Sequence, residues 1–250
     1  DKQRAKDEAA GRVTITKRTK KFWFERNRWT MLSSGQLLVG GRDAKGNDQI
    51  VKKHLSAADL YFHADLHGAP SCSLKLKEGF EVDPNPNPML PEGVPSLRLT
   101  QSLDIEEHPD GSLPDAAQMA VCWSRAWGSG GAAATAFHAK QGQVSKTTES
   151  GESLGRGGFV VRGNRHWYKD LNIELTLGLV AINGIPLPMV GTHAVISRAC
   201  QRWIRLSPGT QKKELVATKI AKATGLLQDD VLSALPPGNL TLGENKGIFD

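Results

Sequence analysis

The sequence predicts a mixed α/β fold of the α+β kind: one twisted, largely antiparallel sheet with packed helices, then a small C-terminal strand-and-helices module. Three observations predict it. Ile173, Leu175, Leu177 and Leu179 fall at every second position of residues 172–182, the period of a strand. Ala117, Ala120, Val121, Ser124 and Trp127 fall on one helical stripe, mostly of small side chains that allow close approach to a sheet. Short apolar runs elsewhere are separated by glycine turns, as hairpins require.

The elements follow in order. Residues 1–12 read as the frayed end of a charged helix, so the chain is expected to be cut from something longer. The aromatic run from Phe22-Trp23-Phe24 to Trp29-Thr30-Met31-Leu32 is turned by Ser33-Ser34-Gly35 into residues 36–39, a hairpin pattern. Asn47 is expected to cap a short helix that reaches Leu55, with Val51 and Leu55 on one face. Residues 60–63 and 71–76 read as short strands flanking Gly68. Residues 79–113 hold Pro84, Pro86, Pro88, Pro91, Pro95 and Pro109 among many acids. That composition predicts a flexible acidic insertion that contributes little to folding. Pro114 sits at a favoured first-turn position and opens the small-residue helix, which the glycine-rich residues 128–131 end. Residues 133–138 and 159–162 read as strands. Gly184-Ile185-Pro186-Leu187-Pro188 interrupts the strand pattern and marks the expected boundary between residues 20–184 and 185–250. Beyond it, residues 202–206 read as a strand. Residues 211–224 read as a helix burying Val216, Ile220 and Ala223, and residues 229–235 as a helix stopped by Pro236-Pro237-Gly238.

Charge points to a polyanion partner. The chain of 250 residues carries a net charge of +6. Residues 1–30 hold ten Lys or Arg against four acids, whereas residues 78–115 hold nine acids and one base, Arg98. A basic body with a segregated acidic stretch suits a phosphate-rich partner, and a solvated surface suits it as well. No apolar run approaches the roughly 20 residues of a membrane span, and residues 1–10 hold no apolar leader core, so no membrane contact and no signal peptide are expected. Cys72, Cys122 and Cys200 are scattered and include no Cys-x-x-Cys pair, which points to a reducing cytoplasm.

His63-x-Asp65-x-His67 admits three readings: a metal set on one strand face, a polar contact surface, or internal hydrogen bonding. The first would make a metal-dependent hydrolase, but no second ligand cluster accompanies it. Arg42-Asp43 follows two glycines. Asp43 there suits a turn that bonds nearby amides, and Arg42 suits a phosphate. Gln143, Ser145 and Lys146 offer amide, hydroxyl and ammonium groups to phosphate and sugar, or else form a surface loop. Arg162 and Arg165 interleave with His166, Trp167 and Tyr168, the cation and aromatic mixture that grips unpaired RNA. No nucleophile elbow and no cysteine beside a base is present, so no enzyme activity and no cofactor are expected.

Four phrases together resemble one family. They are Gly40-Gly41-Arg42-Asp43-Ala44 with Asn47, then His63-Ala64-Asp65-x-His67-Gly68-Ala69, then Gln143-Val144-Ser145-Lys146, then Phe159-x-x-Arg162-Gly163. Ser124-x-Ala126-Trp127, Gly151-Glu152 and Leu154 also fit. The pattern over about residues 20–182 resembles the NFACT-R domain, the RNA-binding module of the NFACT ribosome quality-control factors called NEMF in animals and RqcH in bacteria. The tail at Leu235-Pro236-Pro237-Gly238 is similar to the C-terminal module of archaeal members. His138, Gln141, Glu149 and Ser153 depart from the family pattern.

The resemblance implies a cytoplasmic, ribosome-associated RNA-binding domain. Its partners would be tRNA, large-subunit rRNA and the large ribosomal subunit holding a stalled, tRNA-linked nascent chain, with no small-molecule substrate. Full-length members recruit tRNA for C-terminal tailing through parts outside this chain. Residues 1–19 would be a coiled-coil end and linker. The implied RNA contacts are Arg42, Asp43, Asn47, His63, Asp65, His67, Gln143, Ser145, Lys146, Arg162 and Arg165. The alternatives are the hydrolase built on His63, Asp65 and His67, and a protein-docking module without RNA affinity.

Overall fold

A computed structural model describes residues 2–13, 18–130 and 133–249. The chain opens with α1 (Lys2–Ala9), a 3-10 turn at Trp23–Arg26, β1 (Arg28–Met31), β2 (Gln36–Gly40) and α2 (Ala44–Lys53). It continues through β3 (Leu60–Ala64), β4 (Cys72–Val82), β5 (Ser96–Thr100), α3 (Ser112–Cys122), a 3-10 turn at Arg125–Gly128 and β6 (Ala133–Lys140). Then come β7 (Val144–Ser145), β8 (Val160–Val161), β9 (His166–Asn172), β10 (Leu175–Ile182) and β11 (Ile185–Gly191). The last elements are α4 (His193–Ala199), β12 (Trp203–Gln211), α5 (Lys213–Thr224), α6 (Gln228–Ala234) and β13 (Leu240–Lys246).

The α+β expectation holds. The main sheet runs β13-β12-β10-β5-β4-β3-β6-β9, with β1 joined to β4 through β2, and β11 joined to β10. Among the described pairs, β5 with β10 is parallel and the other ladders are antiparallel. β7 and β8 form a separate ribbon. No described helix is long and apolar enough to cross a membrane.

Helices cover both faces of the central strands. One buried cluster joins α3, α5 and α6 through Met119, Val121, Ile220 and Val231 to Leu38, Leu177 and Leu179. The other joins α2 and α4 through Ile50 and Ile196 to Leu37, Val39, Val180 and Ile182. Alternate residues of β2 and β10 therefore enter different cores, and every position of β10 is buried. This is why 175–182 is buried on both parities, with Val180 and Ile182 joining the odd positions that mark it as a strand.

Residues 79–113 are not a flexible insertion. β4 continues to Val82, and Ser96–Thr100 forms β5, which bridges β4 and β10 in mid-sheet. Phe80, Val94, Leu97 and Leu103 are buried. The Leu103 amide donates to the Lys77 carbonyl at 2.8 Å, and the His108 ring bonds Gln36 Nε2 and the Ala58 carbonyl, both at 2.9 Å. The prolines lie outside β5, and residues 84–89 are the exposed tip. Average composition over the segment concealed a five-residue strand whose hydrogen bonds come from its neighbours.

The break at Gly184 is a hairpin turn. Asn183 and Gly184 both take positive φ, 48° and 77°, as a two-residue turn matching strand twist requires. β11 tolerates Pro186 and Pro188 because it pairs on one side only, with β10. Residues 185–250 share the buried clusters of the rest: Met189 joins Phe24 and Phe80, and Ile204 and Ile220 join Phe62 and Leu74. The C-terminal strands extend the same sheet.

The N-terminal stretch is docked as well. The Val13 amide donates to the Thr224 carbonyl at 2.9 Å, and Arg202 Nη1 donates to the Gly11 carbonyl at 2.6 Å. Arg18 is buried between Glu25 and Asp230, and Lys21 reaches Asp230 at 3.6 Å. Four residues of the expected linker, Gly11, Arg12, Val13 and Arg18, are thus held by hydrogen bonds or ion pairs.

Candidate nucleic-acid interface

The first wall of the site is the turn between β2 and α2. Asp43 is extended, and its carboxylate accepts the Gly46 amide at 2.7 Å, so Asp43 caps α2. Asn47, the expected cap, lies inside the helix and is buried. Its side-chain oxygen accepts the Ser71 amide at 3.0 Å and ties α2 to the start of β4. A Cβ at Gly41 would lie 2.1 Å from that oxygen, so only glycine lets the turn pass over α2. Arg42 is held beyond it, with Nη2 donating to the carbonyls of Asn27 at 3.1 Å and Ser233 at 2.9 Å.

The second wall is the end of β3. The strand stops at Ala64, so His63, Asp65 and His67 do not share one strand face. Burial lowers the His63 pKa below its ordinary value, which favours the neutral imidazole. The Asp65 amide donates to the Thr135 carbonyl at 2.8 Å while its carboxylate end is exposed. The His67 carbonyl accepts Arg125 Nη2 at 2.6 Å. Among the described residues, no three His, Cys, Asp or Glu side chains form a group able to hold a metal ion.

The third wall is the segment 140–165. Gln143 accepts the Lys140 amide at 2.8 Å and donates to the carbonyls of Arg162 at 2.8 Å and Asn164 at 2.6 Å. Ser145 forms a local turn with Thr147. Lys146 commits all its donors inward: Asp48 at 2.8 Å, the Gly155 carbonyl at 2.7 Å and the Gly158 carbonyl at 3.0 Å. Arg162 Nη2 donates to the Thr147 carbonyl at 2.9 Å, and Arg165 Nη2 to the Val161 carbonyl at 3.0 Å. Gly157 has φ +77°, its amide donates to Asp48 at 3.0 Å, and a Cβ there would lie 2.8 Å from Ala44 Cα. The loop that carries Arg156 is thereby pressed on the start of α2.

These walls enclose two adjoining cavities. One, of about 520 Å³, is lined by Arg28, Arg42, Arg125, Arg156, His63 and His67 among others. The second, of about 430 Å³, shares His63, His67, Gly157 and Phe159 with it and adds Tyr61, Asp65, Phe137 and Arg165. Of the expected residues, Arg42, Asp43, Asn47, His63, Asp65, His67 and Arg165 come together here. Gln143, Ser145, Lys146 and Arg162 line neither cavity and instead build the third wall.

The larger cavity is electropositive. Asp43 is the one acid in its lining, and it is engaged as a helix cap. Arg28 Nη1 donates to the Leu235 carbonyl at 3.2 Å. Among the described residues neither Arg28 nor Arg42 is paired with a carboxylate. Burial pushes Arg28 down to about 10, and the like charge of Arg42 adds to the shift. Burial lowers Arg42 too. Both remain cations at neutral pH, and an entering anion would offset their desolvation. Arg156 is exposed and has no hydrogen bond or ion pair among the described residues.

Sequence reasoning missed Arg28, Arg125 and Arg156. One signal was available: Arg156-Gly157-Gly158 mirrors Gly40-Gly41-Arg42, an arginine beside two glycines. Arg28 carries no local signal, because what brings it to the cleft is the pairing of β1 with β2.

The described residues thus define a protein of the α+β class with an arginine-lined cleft. A family model described as the NFACT protein RNA binding domain matches residues 20–163. The chain is 32% identical over 224 residues to the archaeal Rqc2 homolog aRqcH of Methanocaldococcus jannaschii, covering 88% of this chain and 29% of that protein. It is 35% identical over 155 residues to the human ribosome quality control complex subunit NEMF, covering 62% of this chain and 12% of that protein. It is 30% identical over 166 residues to the Drosophila melanogaster NEMF homolog, covering 66% and 14%. The chain belongs to the NFACT RNA-binding domain family. It spans less than a third of the length of these relatives.

Proposed function

We propose that the chain is the RNA- and ribosome-contacting domain of a ribosome quality-control factor. The observation that carries the RNA reading is the cleft lined by Arg28, Arg42, Arg125 and Arg156 with no uncommitted carboxylate. Such a site takes phosphate, and arginine forks suit it. The names of the relatives, ribosome quality control complex subunits among them, support the ribosomal role. In this reading the partners are tRNA, large-subunit rRNA and the large subunit carrying a stalled peptidyl-tRNA. The domain works in the cytoplasm on the ribosome. It binds without catalysing, and tailing of the nascent chain needs the rest of the full-length protein.

The test is tRNA affinity across salt. Each neutralised phosphate should steepen the log–log slope by about 0.7–0.9. Arg156→Ala is expected to weaken binding and flatten the slope by about one unit, with melting unchanged because Arg156 is exposed and unpartnered. A flat plot for the parent protein sinks the reading. Salt-insensitive binding to a ribosomal protein, without RNA affinity, would replace it with protein docking.

A further inference from the structure

The two adjoining cavities differ in chemistry. The larger is cationic and recessed, with Arg28 only partly exposed and Trp123 beside it. The second is lined by Phe137 of β6, the strand that pairs with the edge strand β9, and by Arg165, which directly precedes β9. His63 lines it as well, and Trp167, outside the lining, lies directly opposite Phe137 on β9, so the three residues on β3, β6 and β9 share one face. Their rings follow in contact, at 6.0 Å from His63 to Phe137 and 5.1 Å from Phe137 to Trp167. β9 ends the sheet among the described residues, and Trp167 on it is 42% exposed. Arg165 lies over Phe137 at 4.8 Å and near Trp167 at 5.9 Å, exposed and without an acid partner.

From this juxtaposition we infer that the cleft is a site for unpaired RNA: a phosphate enters the arginine cavity, and a neighbouring base stacks on Arg165 and Trp167. The inference rests on the RNA reading above and deepens it, because it ties the unpaired state of the RNA to a phosphate position and a stacking position in one cleft. A paired helix keeps its base faces inside the stack and presents phosphates on a rigid convex surface. That surface reaches Arg156 at the rim and leaves Arg28 and the aromatic row unused. A flexible strand reaches all of them, and stacking is indifferent to base identity because every base has a π-face. Trp167 packs one side of its ring on Phe137 and still leaves 42% of its surface exposed on an edge strand, open to a stacking base.

The experiment compares a labelled single-stranded RNA decamer of mixed sequence with a duplex carrying the same number of phosphates, at one low salt concentration and again at physiological salt. The single strand is expected to bind about tenfold tighter or more. Trp167→Ala should remove that preference while sparing duplex binding, and Trp167→Phe should keep it. Arg156→Ala should weaken both RNAs. Equal affinities, with Trp167→Ala without effect, overturn the inference and leave the RNA reading standing. Absence of salt-dependent binding to either RNA overturns both.

Discussion

Replacing residues 79–113 with a short glycine-serine linker is expected to leave the protein unfolded. The replacement removes β5, which links β4 to β10 in mid-sheet. It also removes the buried side chains of Phe80, Val94, Leu97 and Leu103. Burying one such side chain contributes about 1.5–3 kcal/mol. Four of them together rival the whole ~5–15 kcal/mol by which a domain is stable. A shorter connection cannot compensate, because loop entropy changes only logarithmically with length. Removing the exposed tip at 84–89 alone should leave melting nearly unchanged. Thermal melts followed by circular dichroism read both variants. A cooperative melt of the 79–113 replacement within a few degrees of the parent would contradict the structure.

Lys146→Ala is expected to lower stability by about 2 kcal/mol, which is roughly 4–8 °C in melting temperature for a chain of this size. The ammonium joins Asp48 on α2 to the carbonyls of Gly155 and Gly158, and it lies over the Phe159 ring at 4.5 Å. A lysine that served only to meet phosphate would lose RNA affinity on truncation and leave melting untouched. Here both should fall, because the loop that Lys146 fastens carries Arg156. The pH dependence has a definite sign. The hydrogen bond from Lys146 is the largest of the influences that hold Asp48 below its ordinary 3.8. A carboxylate with a depressed folded pKa contributes fully above its unfolded value and loses that contribution as pH falls through the folded one. The difference between parent and variant should therefore be complete at pH 7 and shrink only below about pH 4. An unchanged melting temperature at pH 7 would return Lys146 to the RNA-facing surface.

Much of the framework was legible because local patterns carried it. The hairpin of β1 and β2 and the strand through Leu175, Leu177 and Leu179 stand where the sequence puts them, and α3 carries Ala117, Ala120 and Val121 of the small-residue stripe, while Ser124 and Trp127 pass into the 3-10 turn that follows. The family was legible as well, from four separated phrases. Other elements were visible and misread. Asn183-Gly184 is a strong hairpin signal, yet the prolines that follow it suggested a boundary; an edge strand accommodates them.

By itself the sequence determined the α+β class, the family and which residue types gather near glycine turns, because these depend on neighbours within a few positions. It also offered a turn at Asp43 as one of two readings, and Asp43 does bond a nearby amide there, as the cap of α2. The tertiary structure alone decided which polar groups face outward. Lys146, Gln143 and Arg162 look like phosphate ligands as letters, but their donors find carbonyls and a carboxylate brought near by folding. Arg28 looks ordinary in the sequence, and strand pairing sets it in the cleft beside Arg42. The reason is physical. A donor's partner is set by distance in space: Arg28 donates to Leu235 and Arg42 to Ser233, 207 and 191 residues away along the chain, and Arg42 also to Asn27, 15 residues away.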